Sequence, residues 1–440
     1  MVNAPSPQPV EPAGLSARRP ALDILTLVRG GESLDGALEK CRSFEALEGP
    51  DRAFARALAS TVLRRQGSLD ALIAPYMEKP LPKRAERVQD ILRLAAAQTA
   101  ALGVADHAAV GTAVELAKSF QETKGYAGLV NAVARKIAKA GKTSIEKLPV
   151  RADTPGWLWR SWERAYGPSG ARAIAEAHRR QAPLDLTLKP GVDAEALAAT
   201  LGGKSLPSGS LRVEHAGKVT ALAAFDRGDW WVQDAAAALP ARLLGDVSGK
   251  TVFDWCAAPG GKTLQLAAAG ARVLSLDSSG PRLKLVAENL QRTNLQAETV
   301  KADLLAWKPP TLADAILLDA PCSATGTIRR NPDILWSRRE EDIDVLAGLQ
   351  AKLIDRAVAA LKPGGTLVFA TCSLQPDECE RQGEEALKRH RSLARRPVLK
   401  DEVPGLAEAV TAAGDLRTLP SMWGDIGGMD GFFAARFVKS

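Results

Sequence analysis

The hydrophobic rhythm of this chain changes near residue 250, and that change restricts its fold more than any other feature. Between Ala21 and Ala140 apolar residues recur at three- and four-residue spacing, the pattern of amphipathic helices. Stretches 21–28, 34–41, 53–63, 69–76, 87–102, 108–120 and 129–138 all carry it. Pro50-Asp51 opens one helix, Asp106 reads as an N-cap, and strand signals are absent. An all-α domain of about seven helices is expected. From Thr251 onward, short apolar runs alternate with helical stretches. Residues 251–255, 273–277, 298–303, 315–319 and 366–371 read as strands, and 431–438 as a final one. Residues 262–269, 281–293, 342–361 and 376–390 read as helices. This alternation predicts a parallel, doubly wound α/β sheet with right-handed crossovers.

Between these regions, Lys142 to Pro155 is a polar connection with Pro149 and Pro155. The stretch 155–241 is mixed: Trp157, Trp159 and Trp162 begin an aromatic helix, 184–188 and 211–213 read as short strands, and 194–201 as a helix. The expected organisation is a disordered tail over 1–20, a helical domain over 21–145, a small α+β region over 155–241 and an α/β domain over 242–440. The tail is rich in proline and lacks the apolar core of a signal peptide. No run of about 20 apolar residues exists to cross a bilayer. A cytoplasmic protein, without a membrane partner, is expected.

The 440 residues carry a formal net charge of +7, which favours a polyanionic partner such as nucleic acid. The five cysteines, Cys41, Cys256, Cys322, Cys372 and Cys379, form no C-x-x-C pair and no His-Cys cluster. Neither a disulfide framework nor a metal site is expected, and nothing in the sequence calls for more than a monomer.

The reactive residues collect where strands end. The run Ile316-Leu317-Leu318 stops at Asp319-Ala320-Pro321-Cys322-Ser323, and Leu367-Val368-Phe369 leads to Ala370-Thr371-Cys372-Ser373. Open parallel sheets place their chemistry at the carboxyl ends of their strands, so these two loops predict one site with two thiols. Upstream, Cys256-Ala257-Ala258-Pro259-Gly260-Gly261-Lys262-Thr263 follows the first strand and opens the first helix. The glycines permit a tight turn and close approach of a ligand. A phosphate loop would need glycine at Cys256, and the dinucleotide fingerprint is absent. What remains is a nucleoside-type cofactor, its ribose met by Asp277 and its base by Asp303 at the next two strand ends. S-adenosylmethionine fits a two-thiol transferase site better than NAD does.

A thiolate can add to an electron-poor carbon and split one hard step into easier ones. Cytosine needs such help, because its C5 is a poor nucleophile until a group adds at C6. Asp319 could then meet N3 or the exocyclic amine, and the second cysteine could act as a base or assist release. Spacing alone leaves open which thiol attacks.

Blocks 254–263 (DWCAAPGGKT), 319–327 (DAPCSATGT) and 370–378 (ATCSLQPDE), with 231–234 (WVQD) and 430–433 (DGFF), resemble the signatures of the RNA cytosine-5 methyltransferases of the Sun/RsmB group. Residues 107–118 (HAAVGTAVELAK) and 128–135 (GLVNAVAR) resemble a NusB-like RNA-binding domain, and the pairing is similar to the 16S rRNA branch of that group. The resemblance implies an all-α NusB-like domain, a small α+β middle region and a Rossmann-like S-adenosylmethionine-dependent methyltransferase domain. It implies Cys372 as the nucleophile, Cys322 in product release, Asp319 at the cytosine, and cofactor contacts from Cys256, Ala257, Ala258, Pro259, Gly260, Gly261, Lys262, Asp277, Asp303 and Asp319. Arg329, Arg330 and Trp231 are expected to touch RNA, by phosphate pairing and base stacking. Two alternatives remain open at this point: a tRNA cytosine-5 methyltransferase, and a non-catalytic RNA-binding assembly or antitermination factor.

Overall fold

The computed structural model describes residues 14–214 and 217–440, and the chain forms two compact units. The first is residues up to Arg160 together with Asn331–Arg338; the second is Ser161–Arg330 with Arg339–Ser440. Of the tail expected over 1–20, residues 1–13 lie outside the described residues. The rest is structured: Leu15 and Ala17 are buried and a helix begins at Arg18. No helix of the described residues is long and apolar enough to cross a membrane.

The principal helices of the first unit are Arg18–Arg29, Leu34–Lys40, Gly49–Ile73, Glu86–Ala96, Asp106–Lys118 and Ala127–Ala140. Their apolar faces meet in one core that includes Leu22, Ile24, Leu58, Val88, Ile91, Leu116 and Ile137. The stretches 53–63 and 69–76 were expected as separate helices. They share one element, broken at Arg65 (φ −115°, ψ 16°). The break has a local cause. Gly67 lies so close to the Ala152 carbonyl that a Cβ there would stand 1.7 Å from its oxygen. Beside it, the buried Asp153 carboxylate accepts the Ser68 backbone N–H at 2.7 Å and the Ser68 hydroxyl at 2.8 Å. A helix start displaced from its own turn needs such an acceptor.

In the second unit, β1 (Leu184–Leu188), β2 (Lys204–Ser205), β3 (Leu211–Val213) and β4 (Trp230–Val232) form a small antiparallel sheet in the order β2-β3-β1-β4. Arg212 and Asp185 pair across it through two 2.7 Å bonds, both side chains buried.

The large sheet contains β5 (Thr251–Trp255), β6 (Arg272–Asp277), β7 (Glu298–Lys301), β8 (Ala313–Asp319), β9 (Leu361–Thr371), β10 (Leu393–Arg395), β11 (Leu416–Thr418) and β12 (Phe432–Lys439). Its order is β10-β12-β9-β8-β5-β6-β7, with β11 paired to β12. The β7-β6-β5-β8-β9 portion is parallel, as expected, with the helices Gly261–Ala268, Gly280–Thr293 and Glu341–Ala360 in its crossovers. The remaining edge corrects the expectation of an all-parallel sheet: β12 runs antiparallel to β9, β10 and β11. Only turns and a short 3-10 segment separate β11 from β12, with no crossover helix of the kind that usually joins parallel strands. The reversal matters for the site. Phe433 pairs with Thr371, so the start of β12 arrives at the carboxyl ends of β8 and β9.

Candidate active site

Four parallel strands end along one edge, at Trp255, Asp277, Asp319 and Thr371. The loop after β5 is drawn tight. Gly260 has φ +106°, and a Cβ on it would press on Val286 at 3.2 Å; glycine is needed for both reasons. Its N–H donates to the Ala257 carbonyl at 2.8 Å, and the Ala258–Pro259 bond is cis. The buried Asp277 carboxylate holds this loop from the next strand, accepting the Ala258 N–H at 3.2 Å and the Ser279 N–H at 2.9 Å. The loop therefore offers a narrow glycine cradle at the start of the helix Gly261–Ala268, flanked by a strand-end acid. Asp303 lies just past the end of β7, exposed, with its carboxylate accepting the Leu305 N–H at 3.0 Å. Cys256, at φ +60°, sits in the cradle wall; burial, together with Asp319, Asp277 and Asp254, pushes its thiol well above the usual range.

The two thiols predicted from the strand-end loops meet. Cys322 Sγ and Cys372 Sγ are 3.4 Å apart. Two glycines permit this approach. The Gly326 N–H donates to the Cys372 carbonyl and the Gly431 N–H to the Gly326 carbonyl, each at 2.9 Å. A Cβ at Gly326 would stand 1.9 Å from the Gly431 oxygen. A hydrogen bond from its thiol to Cys372, with burial and the charges of Cys372 and Glu378, raises the Cys322 pKa far above its ordinary value, so Cys322 stays protonated. Lys262 reaches the same place. Its Nζ donates to Asp319 Oδ2 at 2.7 Å and lies 4.9 Å from the Phe432 ring centre. Burial acts to lower the ammonium's pKa, but Asp319, Asp254 and Cys372 together raise it, and Lys262 stays charged.

Sequence reasoning missed three contributors. Glu378 lies in the third signature block but had no role assigned to it. Arg417 of β11 donates to the Ser373 carbonyl at 2.6 Å and grips Glu380 through two nitrogens. The hydroxyl of Tyr166 donates to the Leu374 carbonyl at 2.7 Å. Together with Glu378 they hold the loop that carries Cys372. Only the position of Glu378 next to the Thr-Cys-Ser block could have signalled this.

Asp254 stitches the cofactor loop from below. It is fully buried, and its Oδ2 accepts the Thr263 hydroxyl at 2.5 Å, which in turn meets Ser275 at 2.9 Å. Burial pushes its pKa up to about 7. Between about pH 4, the ordinary aspartate value, and pH 7 the folded chain thus keeps a proton that the unfolded chain has released. The stability contributed by this group falls as pH rises through that window. Asp254→Asn should remove this part of the slope and be more stable than the parent chain at pH 8 in thermal unfolding; a less stable variant at pH 8 would contradict the assignment.

Residues 241–438 match a family model described as 16S rRNA methyltransferase RsmB/F, and residues 15–139 match the NusB family. The probable ribosomal RNA small subunit methyltransferase B of Synechocystis sp. is 34% identical over 451 residues, covering 97% of this chain and 100% of the relative. The chain belongs to the ribosomal RNA small subunit methyltransferase B family. The Vibrio vulnificus member is 34% identical over 85% of this chain and 91% of its own. The crystal structure of PH0851 has the same fold, with a TM-score of 0.77 over 98% of this chain and all of that one, at 21% identity.

The methyltransferase cofactor is S-adenosylmethionine, and the residues present fit it. The glycine cradle has no room for a side chain, and no phosphate-binding lysine loop competes for it. The acids at the ends of β6 and β8, with Asp303 after β7, stand beside it.

As a family member, the chain also requires corrections to the expected RNA contacts. Trp231 is buried, and its indole donates to Gln233 at 2.8 Å; it packs with Ala258, Leu264 and Val286 behind the cofactor loop. Arg329 is 1% exposed and points inward to the Gly427 carbonyl and Asp430. Arg330 is half-buried and bridges Asp234 at 2.5 Å and Asp430 at 3.1 Å. These side chains bind the start of β12 to the segment after β4. Both arginines serve as structural counter-charges, and neither the buried Trp231 nor the buried Arg329 offers a face for stacking or phosphate pairing.

Proposed function

We propose that this protein methylates C5 of a cytosine in 16S rRNA through a covalent Cys372–C6 adduct, with Cys322 assisting release. The observation that carries the reading is the 3.4 Å approach of two cysteine sulfurs, on different strand-end loops, beside the Lys262–Asp319 pair. A methyltransferase acting on a nucleophilic oxygen or nitrogen has no use for two adjacent thiols. Addition at C6 of a pyrimidine is a reaction that does.

The surroundings separate the two roles. Lys262 is the cation whose charge is coupled to Cys372, whereas the Glu378 carboxylate bears on Cys322. With Cys322 kept as a thiol, attack on C6 falls to Cys372. Asp319, held by Lys262, faces the N3 and amino edge of the ring. Bound S-adenosylmethionine supplies the methyl group to C5. C5 then gives its proton to a base, the Cys372–C6 bond breaks, and the Cys322 thiol hydrogen-bonds the departing sulfur. The target base must leave its stack to reach these loops. Exposed cations such as Arg339, and Lys83 and Arg84 of the NusB-like unit, supply a sequence-independent hold on phosphates.

The test is to incubate the full chain with methyl-labelled S-adenosylmethionine and either 16S rRNA or bulk tRNA, followed by bisulfite sequencing. A single new 5-methylcytosine in 16S rRNA is expected. Label confined to tRNA would move the substrate, and label on any atom other than cytosine C5 would overturn the reaction.

A further inference from the structure

Glu378 is fully buried and touches no reacting atom in the chemistry above. Its Oε1 accepts the Ser323 backbone N–H at 2.8 Å and the Gln350 amide at 3.3 Å, and its Oε2 accepts the hydroxyls of both Ser323 and Ser373. Ser323 follows Cys322, and Ser373 follows Cys372. Gln350 also donates to the Pro321 carbonyl at 2.9 Å, so the Cys322 loop is gripped on either side of its thiol. Four donors converge on one side chain. Only a carboxylate, with two acceptor oxygens and no donor, can satisfy them all.

We propose that Glu378 is a positioning residue, whose carboxylate sets the separation of the Cys322 and Cys372 sulfurs and thereby the rate of product release. The inference rests on the two-thiol reading above. A buried carboxylate is costly unless fully hydrogen-bonded, and an apolar residue would close the same volume at less cost. What an apolar residue would not do is hold two separate loops to a sulfur separation of 3.4 Å. Burial raises the pKa of Glu378, and its Ser323, Ser373 and Gln350 bonds oppose that rise. Release depends on Cys322 reaching the sulfur that leaves C6. Addition needs only Cys372. Loosening the pair should therefore slow the second half of the reaction more than the first.

The experiment compares the full-length parent chain with Glu378→Gln and Ser373→Ala on a 16S rRNA fragment with S-adenosylmethionine. It reads kcat, KM for RNA, thermal unfolding, and the fraction of protein in a denaturant-resistant RNA adduct. Glu378→Gln should fall in kcat by about 10²-fold, as expected for misplacement on the ångström scale, with the apparent KM falling alongside it and adduct accumulating. Ser373→Ala keeps the carboxylate and removes one tie, and should accumulate adduct to a smaller extent. Unchanged kcat and adduct in Glu378→Gln would overturn the proposal, as would a fall in kcat without adduct. Should Glu378→Gln fail to fold, the absence of adduct in Ser373→Ala overturns it. The parent chain with 5-fluorocytidine-substituted RNA separates the two readings: no trapped adduct there defeats the two-thiol reaction itself, whereas trapping there with unaltered variants defeats only the role of Glu378.

Discussion

Cys372→Ala is expected to abolish methyl transfer, by on the order of 10⁴-fold or more, because the loss of a covalent nucleophile is not shared out among its neighbours. The expectation follows from position. Cys372 directly follows β9, beside β8, at the edge where Asp319, Lys262 and Cys322 converge. Cys322 cannot substitute for it. With Cys372 gone, burial and the nearby Glu378 still act to raise its thiol's pKa, and its loop is fastened through Pro321 and Ser323. Binding of S-adenosylmethionine should survive, since the cradle at Gly260 and Asp277 does not include Cys372. The measurement is single-turnover transfer of labelled methyl to 16S rRNA, with cofactor affinity by calorimetry as the control. Retained transfer would overturn the nucleophile assignment. Loss of cofactor binding as well would mean that the variant had disturbed the fold.

The parallel core and the two thiol loops were legible because each strand is a short apolar run halted by an acid or a cysteine. Ile316–Leu318 into Asp319, and Leu367–Phe369 into Thr371-Cys372, announce a buried strand and a polar end without any partner being known. The missed elements are those whose identity depends on a partner. β4, β10 and β11 are three residues each, too short to show a period, and pairing across the sheet makes them strands. The antiparallel β12 has the same apolar look as a parallel strand; its direction shows only in its pairing with β9 and β11. Arg329 and Arg330 looked like RNA contacts because an arginine pair beside an active loop usually faces solvent. Their counter-charges, Asp234 and Asp430, lie 96 and 100 residues from Arg330 in sequence. Likewise residues 331–338, embedded in the methyltransferase half of the sequence, group with the helical unit. There the Trp336 indole donates to the Leu63 carbonyl at 2.7 Å, two residues before the break at Arg65.

Cys322→Ala is expected to give the opposite phenotype to Cys372→Ala: addition and methylation proceed, but the protein remains joined to its RNA. The departing Cys372 sulfur regains negative charge as its bond to C6 breaks. In the parent chain a protonated thiol stands 3.4 Å away to receive that charge. Alanine leaves no donor there, and the second thiol of the pair has no substitute, because the nearby ammonium of Lys262 is engaged by Asp319 at 2.7 Å. A donor to a developing charge in a site screened from water is worth on the order of 10²–10³ in rate. Release should slow by that factor while the first turnover stays close to that of the parent. The product is a denaturant-resistant protein–RNA band that carries the transferred label. Cys322→Ala/Cys372→Ala should form no such band, since nothing remains to attack C6. A Cys322→Ala variant that turns over at the parent rate would remove Cys322 from the reaction, leaving the sulfur contact as packing alone. A band that persists in the double variant would mean that a third residue makes the bond. Cys256 would then be the one to replace next, because it is the remaining cysteine on this edge of the sheet with partial exposure.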